Sequence, residues 1–239
     1  STACWLQHKL GAYQAWGMDI NAACSGFVYG LATAEQFLIS GQYQTALVVG
    51  AEVLSPIINW EDRTSCILFG DASGAAVVER VPGDSSRRIL SSQMAMNGSN
   101  WDLLHIPAGG SNMEVTPERY HRKLNKVRMN GREIFKKAVR TLEEFALNQL
   151  TKNGLTIDDL DWFAPHQANI RIINAVAERI KVPMERVLVN IDRYGNTSAA
   201  TIPTILDEAV RDGRIQPGHT VLFDVFGAGL TYGAMLLRW

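Results

Sequence analysis

Two stretches of this chain run the same course. The first passes from a helix-length segment through a short strand and a second helix to TALVVGAE, then to FGDASGAAVVER. The second passes through helix 168–180, a strand and a helix to TVLFDVFGAGLTYGAMLLR. Phe69-Gly70 before a small-residue strand answers Phe226-Gly227 before another. The repeat is far too long for a solenoid. Helices alternating with short apolar strands predict an α/β fold with an internally duplicated unit.

The spacing predicts helices over 2–10, 25–40, 131–152, 168–180 and 198–212. Strands are expected at Trp16–Asn21, Thr45–Ala51, Ser73–Val81, Asp161–Pro165, Arg186–Asn190, Thr220–Val225 and Leu230–Arg238, with Arg88–Asn97 extended. The paired strands closing each half are expected as antiparallel edges. Residues 55–65 read as a loop, 82–86 as a turn and 98–125 as irregular and polar, with a weak basic cluster at His121–Lys126. Two units follow, 1–86 and 87–239. The second has about 80 residues (88–167) before the helix that matches 2–10, whereas nothing precedes that helix in the first. A comparable segment is expected to belong ahead of residue 1.

With 46% hydrophobic residues, 20% charged and a formal net charge of −1, the chain calls for neither nucleic acid nor an anionic membrane as partner. Its three cysteines, Cys4, Cys24 and Cys66, fit no disulfide or zinc framework and suggest a reducing, cytoplasmic setting. No apolar run approaches the roughly 20 residues of a membrane span, and STACWLQHKLG has no signal-peptide pattern.

Three residues stand where strands give way to helices, the place where α/β sheets build sites. Cys24, in AACSGF, is expected to feel the following helix dipole and free N–H groups, which lower a thiol pKa. A buried cysteine acting as a small hydrophobe is about equally consistent with its position. His166, in PHQANIRI, can donate or accept a proton, or merely cap. Asn196, in GNTSAATIP, is by itself a turn residue before a Ser198 helix cap. Cys4 and Cys66 read as packing residues, and His8, His105, His121 and His219 as surface ones. FGAGLTYG is a poor dinucleotide fingerprint; its small residues suit the close backbone approach of an oxyanion hole.

Taken together, AACSGF, PHQANIRI, GNTSAATIP, FGDASGAAV and FGAGLTYGA resemble β-ketoacyl-acyl-carrier-protein synthase III, a thiolase-fold condensing enzyme family, along essentially the whole chain. The family's usual first segment, about 80–90 residues, has no counterpart here, in line with the gap in the repeat. The resemblance implies a layered α-β-α-β-α architecture with an incomplete N-terminal half. It implies a Cys24–His166–Asn196 triad, an acyl-Cys24 intermediate, and condensation of an acyl-CoA with malonyl-acyl-carrier protein to initiate fatty-acid synthesis. It places an oxyanion hole at the backbone N–H groups of Cys24 and Ala228. It assigns CoA or pantetheine contacts to Arg63, Thr64, Gly131, Phe135, Ala168 and Asn169, and acyl-carrier-protein contacts to Lys136 and Arg171. It implies a homodimer and no metal or redox cofactor. Solvated helix faces are the commoner fate of charges such as Lys136 and Arg171.

Three rivals stand beside this reading. A related Cys-His-Asn enzyme making quinolone or polyketide starters differs only in its primer. A chain lacking a domain part could be an inactive fragment. A papain-like cysteine protease fits the Cys24-to-His166 spacing, but AACSGF is not the C-G-S-C-W signature.

Overall fold

The second half is organised by β7 (Thr220–Gly227), whose eight residues are all buried. Leu222 and Phe226 join one core cluster, while Val221, Phe223 and Val225 join another. That period-two division is what a strand covered on both faces requires. In this computed structural model, which describes residues 1–81, 83 and 85–239, β7 pairs in parallel with β6 (Trp162–Pro165) and antiparallel with β8 (Thr231–Arg238). β3 (Arg88–Met96) completes a sheet of order β3-β8-β7-β6. The closing pair β7–β8 therefore lies inside its sheet and does not form the edge expected from the sequence.

One face of this sheet is covered by α4 (Gly131–Lys152) and α5 (Ile170–Ile180). Helix α4 buries Ile134, Ala138, Leu142, Phe145 and Gln149 at helical spacing, and Asn130 caps it by accepting the Glu133 N–H at 3.3 Å. The other face meets α2 (Gly26–Ile39) and α7 (Thr201–Arg211), which pack Phe27, Val28, Ile202 and Ile205 against Val221 and Phe223.

Beyond these two helices lies the first half's sheet, β1 (Thr45–Glu52) antiparallel to β2 (Ala72–Glu79). Close contacts fix it there. A Cβ added at Gly30 of α2 would meet Val48 at 2.9 Å, and one at Gly74 would meet Pro203 of α7 at 2.8 Å. Among the described residues this sheet has two strands where its counterpart has four. A cavity of about 870 Å³ opens between β1, α2, residues 12–21 and α1 (Thr2–Lys9), a helix with no buried residue.

Shorter elements fill the 98–129 stretch read as irregular. They are a 3-10 turn over Gly98–Leu103, α3 (Pro117–His121), and the pair β4 (Leu104–His105) and β5 (Arg128–Met129). α6 (Ile191–Tyr194) precedes Asn196.

Two expected strands are absent. Trp16–Asn21 is irregular and exposed, because no neighbouring strand offers it a ladder among the described residues. Arg186–Asn190 makes one bridge, Val187 to Phe163; Arg186 ends a 3-10 turn, and 188–190 hold no regular element. The expected 82–86 turn includes residues 82 and 84, which lie outside the described residues. Cys4 is exposed rather than packed, and His105 and His219 are half-buried; His219 Nδ1 accepts the Trp162 indole N–H at 3.1 Å. Among the described residues no helix is long and apolar enough to cross a membrane.

Candidate active site

Cys24 sits in a 3-10 turn, Ala23–Ser25, that runs directly into α2. The turn is held from the second half. Thr231 Oγ1 donates to the Ala22 carbonyl at 2.7 Å, and Gly227 comes so close that a Cβ there would lie 2.8 Å from the Cys24 nitrogen. Cys24 is 6% exposed. Burial dominates its acidity and pushes the thiol up to about 11, opposed by contacts from Ser198 and from the backbone N–H groups of Cys24 and Ala228. The sequence expectation of a lowered thiol pKa is thus reversed. The helix terminus is present, but desolvation of the charged form outweighs it. Cys24 rests as a thiol. The N–H groups of Cys24 and Ala228, expected to form an oxyanion hole, both favour the charged form of its sulfur.

His166 follows β6, with its N–H donating to the Asp224 carbonyl at 2.8 Å. The ring is buried, and desolvation lowers its pKa to about 3, so it stays neutral. Its Nδ1 lies 2.7 Å from Thr201 Oγ1, and that hydroxyl lies 2.9 Å from the Ser198 carbonyl. Asn196 is fixed by the first half. Its N–H donates to the Leu68 carbonyl at 2.7 Å, and its carbonyl accepts the Gly70 N–H at 2.9 Å. Gly70 must be glycine here, since a Cβ would fall 2.1 Å from the Tyr194 oxygen. Asn196 Oδ1 accepts the Ser198 N–H at 2.9 Å, which commits the oxygen and leaves the amide nitrogen as the donor end.

Ser198 is therefore the hub. Its N–H ties it to Asn196 and its carbonyl to Thr201 and so to His166, and it lines the same cavity as Cys24. It holds φ at +53°, a costly conformation for a non-glycine residue. Glu52, at the end of β1, belongs to the same group. It lines the cavity with Cys24, Ser198, Ala199 and Ala228, and accepts the Ala199 N–H at 3.4 Å. Burial raises its carboxyl pKa, partly offset by Ser198 and the Ala199 N–H. Sequence reasoning missed Glu52 and Thr201. The one signal for Glu52 was a carboxylate closing an apolar strand, at the strand end where sheet sites form.

The other sequence-assigned residues lie elsewhere, and none lines the cavity that contains Cys24. Arg63 and Thr64 are exposed on a loop, where the Thr64 hydroxyl donates to Asp62 at 2.6 Å. Gly131 begins α4; Phe135 and Lys136 are exposed on its first turns, and Lys136 pairs with Glu133 at 3.0 Å. Asn169 caps α5 by accepting the Arg171 N–H at 2.8 Å; Ala168 packs beside the core, and Arg171 is exposed.

Comparison with known proteins identifies the family. Family models described as 3-oxoacyl-[acyl-carrier-protein (ACP)] synthase III and as its C-terminal part match residues 18–98 and 150–239. The β-ketoacyl-[acyl-carrier-protein] synthase III of Symbiobacterium thermophilum is 47% identical over 239 residues, which are all of this chain and 72% of that relative. The crystal structure of 3-oxoacyl-[acyl-carrier-protein] synthase III from Aquifex aeolicus VF5 superposes with a TM-score of 0.91 at 45% identity, covering 100% of this chain and 72% of that one. The priming β-ketosynthase of the R1128 polyketide pathway gives a TM-score of 0.85 at 35% identity, covering 98% and 69%. The fold is thiolase-like, and the chain belongs to the 3-oxoacyl-[acyl-carrier-protein] synthase III family.

Proposed function

We propose that in the condensation that initiates fatty-acid synthesis, the activity of this family, Cys24 carries the acyl group and His166 and Asn196 act on the malonyl thioester. The observation that carries this reading is that Asn196 and, through Thr201, His166 are both hydrogen-bonded to Ser198, which lines the same cavity as Cys24. Cys24 sulfur attacks the acyl-CoA carbonyl, and the N–H groups of Cys24 and Ala228 stabilise the oxyanion. CoA leaves as the thiol. Malonyl-acyl-carrier protein then enters, and its thioester carbonyl accepts hydrogen bonds from the Asn196 amide and from the Nε2–H form of neutral His166. That ring form requires the Thr201 hydroxyl to turn from the Ser198 carbonyl, its acceptor at 2.9 Å, and donate to Nδ1. Loss of CO₂ leaves a carbanion that attacks the acyl-Cys24 carbonyl. The product departs as 3-oxoacyl-acyl-carrier protein, and Cys24 regains a proton.

Arg63 and Thr64 contribute CoA contacts, Gly131, Phe135, Ala168 and Asn169 the pantetheine channel, and Lys136 and Arg171 a basic patch for the acidic carrier protein. The exposure of Phe135, Lys136 and Arg171 suits such docking. The working enzyme is a cytoplasmic homodimer, and the exposed Trp16, Met18 and Ile20 just before the nucleophile supply apolar interface surface. The boundary between the halves lies near residue 86.

Intact mass after incubation of the full-length enzyme with acyl-CoA tests the assignment. One acyl group should appear in wild type, in Cys4→Ala and in Cys66→Ala, and none in Cys24→Ala. Labelling that survives in Cys24→Ala would remove the nucleophile from this scheme.

A further inference from the structure

The Thr201 hydroxyl stands between two partners. Its Oγ1 lies 2.7 Å from His166 Nδ1 and 2.9 Å from the Ser198 carbonyl oxygen. Both are hydrogen-bond distances, so each contact calls for a proton. The carbonyl can only accept, and the hydroxyl has a single proton to give. With that proton on the Ser198 side, the one between Thr201 and the ring comes from Nδ1. A charged ring would supply it as well, but His166 is buried at 3% exposure and desolvation keeps it neutral. A neutral ring with its proton on Nδ1 has none on Nε2.

The decarboxylation step needs the opposite form, with the proton on Nε2 and the Thr201 hydroxyl turned to Nδ1. The site permits that turn. The Ser198 carbonyl also accepts the Thr201 backbone N–H, so it keeps a partner when the hydroxyl leaves it. Thr201 is buried at the start of α7, and the His166 backbone is tied to β7 through the Asp224 carbonyl. Rotation of the O–H bond about Cβ–Oγ1 changes the state without moving a heavy atom. The turned state has one hydrogen bond fewer than the resting one, because the hydroxyl then serves the ring alone.

We propose that Thr201 sets the tautomer of His166 and holds the free enzyme in the form that cannot donate to a malonyl thioester. Thr201 acts through the ring and is a positioning residue. On the way to decarboxylation one proton leaves Nδ1 for water and one reaches Nε2 from water, so the ring stays neutral and no net proton is gained. The Thr201 proton swings from the Ser198 carbonyl to Nδ1. The malonyl thioester carbonyl then accepts from Nε2–H, which makes up for the bond given up at Ser198. Thr201 is thus a brake that the substrate releases. This inference rests on the reading of His166 as a donor to the malonyl thioester.

Long-range proton–nitrogen NMR of the full-length enzyme, labelled at the histidine nitrogens, reads the ring form directly. The His166 signals are assigned by their loss in His166→Ala. The free wild type should carry its proton on Nδ1, and this spectrum tests the proposal even if a variant fails to fold. In Thr201→Val a proton on Nδ1 would face a methyl group with no acceptor, so it should move to Nε2. Thr201→Ser keeps the hydroxyl and should keep the Nδ1 form. Release of CO₂ from malonyl-acyl-carrier protein should be about three- to tenfold faster in Thr201→Val than in wild type or Thr201→Ser, the worth of one hydrogen bond. A proton on Nε2 in the free wild type, or an unchanged ring form in Thr201→Val, would overturn the proposal. So would a Thr201→Val enzyme that releases CO₂ no faster than wild type, the result expected if Thr201 merely packs the ring in place. CO₂ release at the wild-type rate in His166→Ala would instead overturn the donor reading while the spectra still report the tautomer, so the two failures are distinguishable.

Discussion

Asp224 shows how far one residue can depart from its chemistry in water. It lies on β7 between Leu222 and Phe226, fully buried, and neither carboxyl oxygen has a hydrogen-bond partner among the described residues. Desolvation raises its pKa well above the ordinary value. The folded state then holds a proton that the unfolded chain gives up near pH 4. Between the unfolded and the folded pKa the native state binds more protons. Stability is therefore lost as pH rises through that window, by up to about 1.4 kcal/mol per pH unit. Asp224→Asn removes the titration. Its melting temperature should match wild type below about pH 4 and exceed it increasingly at higher pH. Parallel melting curves for the two proteins from pH 4 to 8 would show that Asp224 is solvated after all. Nothing in the string TVLFDVFG announced this: the sequence shows an acidic residue in an apolar strand, and only the packing of α4 and α5 closes water out.

At the scale of elements, strands were legible as short apolar runs, whether covered on both faces like β7 or on one like β1, and helices where one stripe is apolar. TALVVGAE, TVLFDVFG and the 131–152 helix fell within two residues of their expected bounds because a single burial pattern fixes each. Trp16–Asn21 misled because an apolar run becomes a strand only beside a ladder. The motifs around Cys24, His166 and Asn196 were visible, as each is a local strand-to-helix junction. Glu52 and Thr201 were not, because they enter through spatial neighbours far away in sequence. Two turns make those neighbours. The Phe226-Gly227 turn of the second half backs onto Cys24, and the Phe69-Gly70 turn of the first half clamps Asn196. Gly70→Ala would drive a methyl into the Tyr194 carbonyl and push the 194–198 loop aside. The cost should be about 1–3 kcal/mol of stability. Decarboxylation of malonyl-acyl-carrier protein should fall by at least tenfold, and acylation of Cys24 less. Equal losses in the two half-reactions would mean that the turn does not act through Asn196.

Across the whole molecule the two halves are unequally protected. A protein of 26.4 kDa typically exposes about 10,600 Å², whereas this chain exposes 13006 Å². Much of the apolar excess lies in the first half, at Trp5, Tyr13, Trp16, Met18, Leu47, Val49 and Val77. Among the described residues β1 and β2 have only each other for ladder partners and cover one face with α2 and α7, and a lone two-stranded sheet is marginal. β7, by contrast, has a strand on each side and a helical layer on each face. Local opening draws on the elements with the least burial. In a polypeptide of residues 1–239, hydrogen exchange should be faster in 45–52 and 72–79 than in 220–227 and 231–238, by about a hundredfold or more if the difference in opening free energy reaches roughly 3 kcal/mol. Glu52 ends β1, so the same opening would release its carboxylate from the Ala199 N–H, while His166, held by the Asp224 carbonyl of β7, keeps its place. Uniform protection across the four strands would mean that contacts with α2 and α7 alone hold the first sheet as firmly as the second. Loss of protection confined to β1 and β2, together with alkylation of Cys24 that tracks their exchange rate, would tie the fate of the nucleophile to the less covered half.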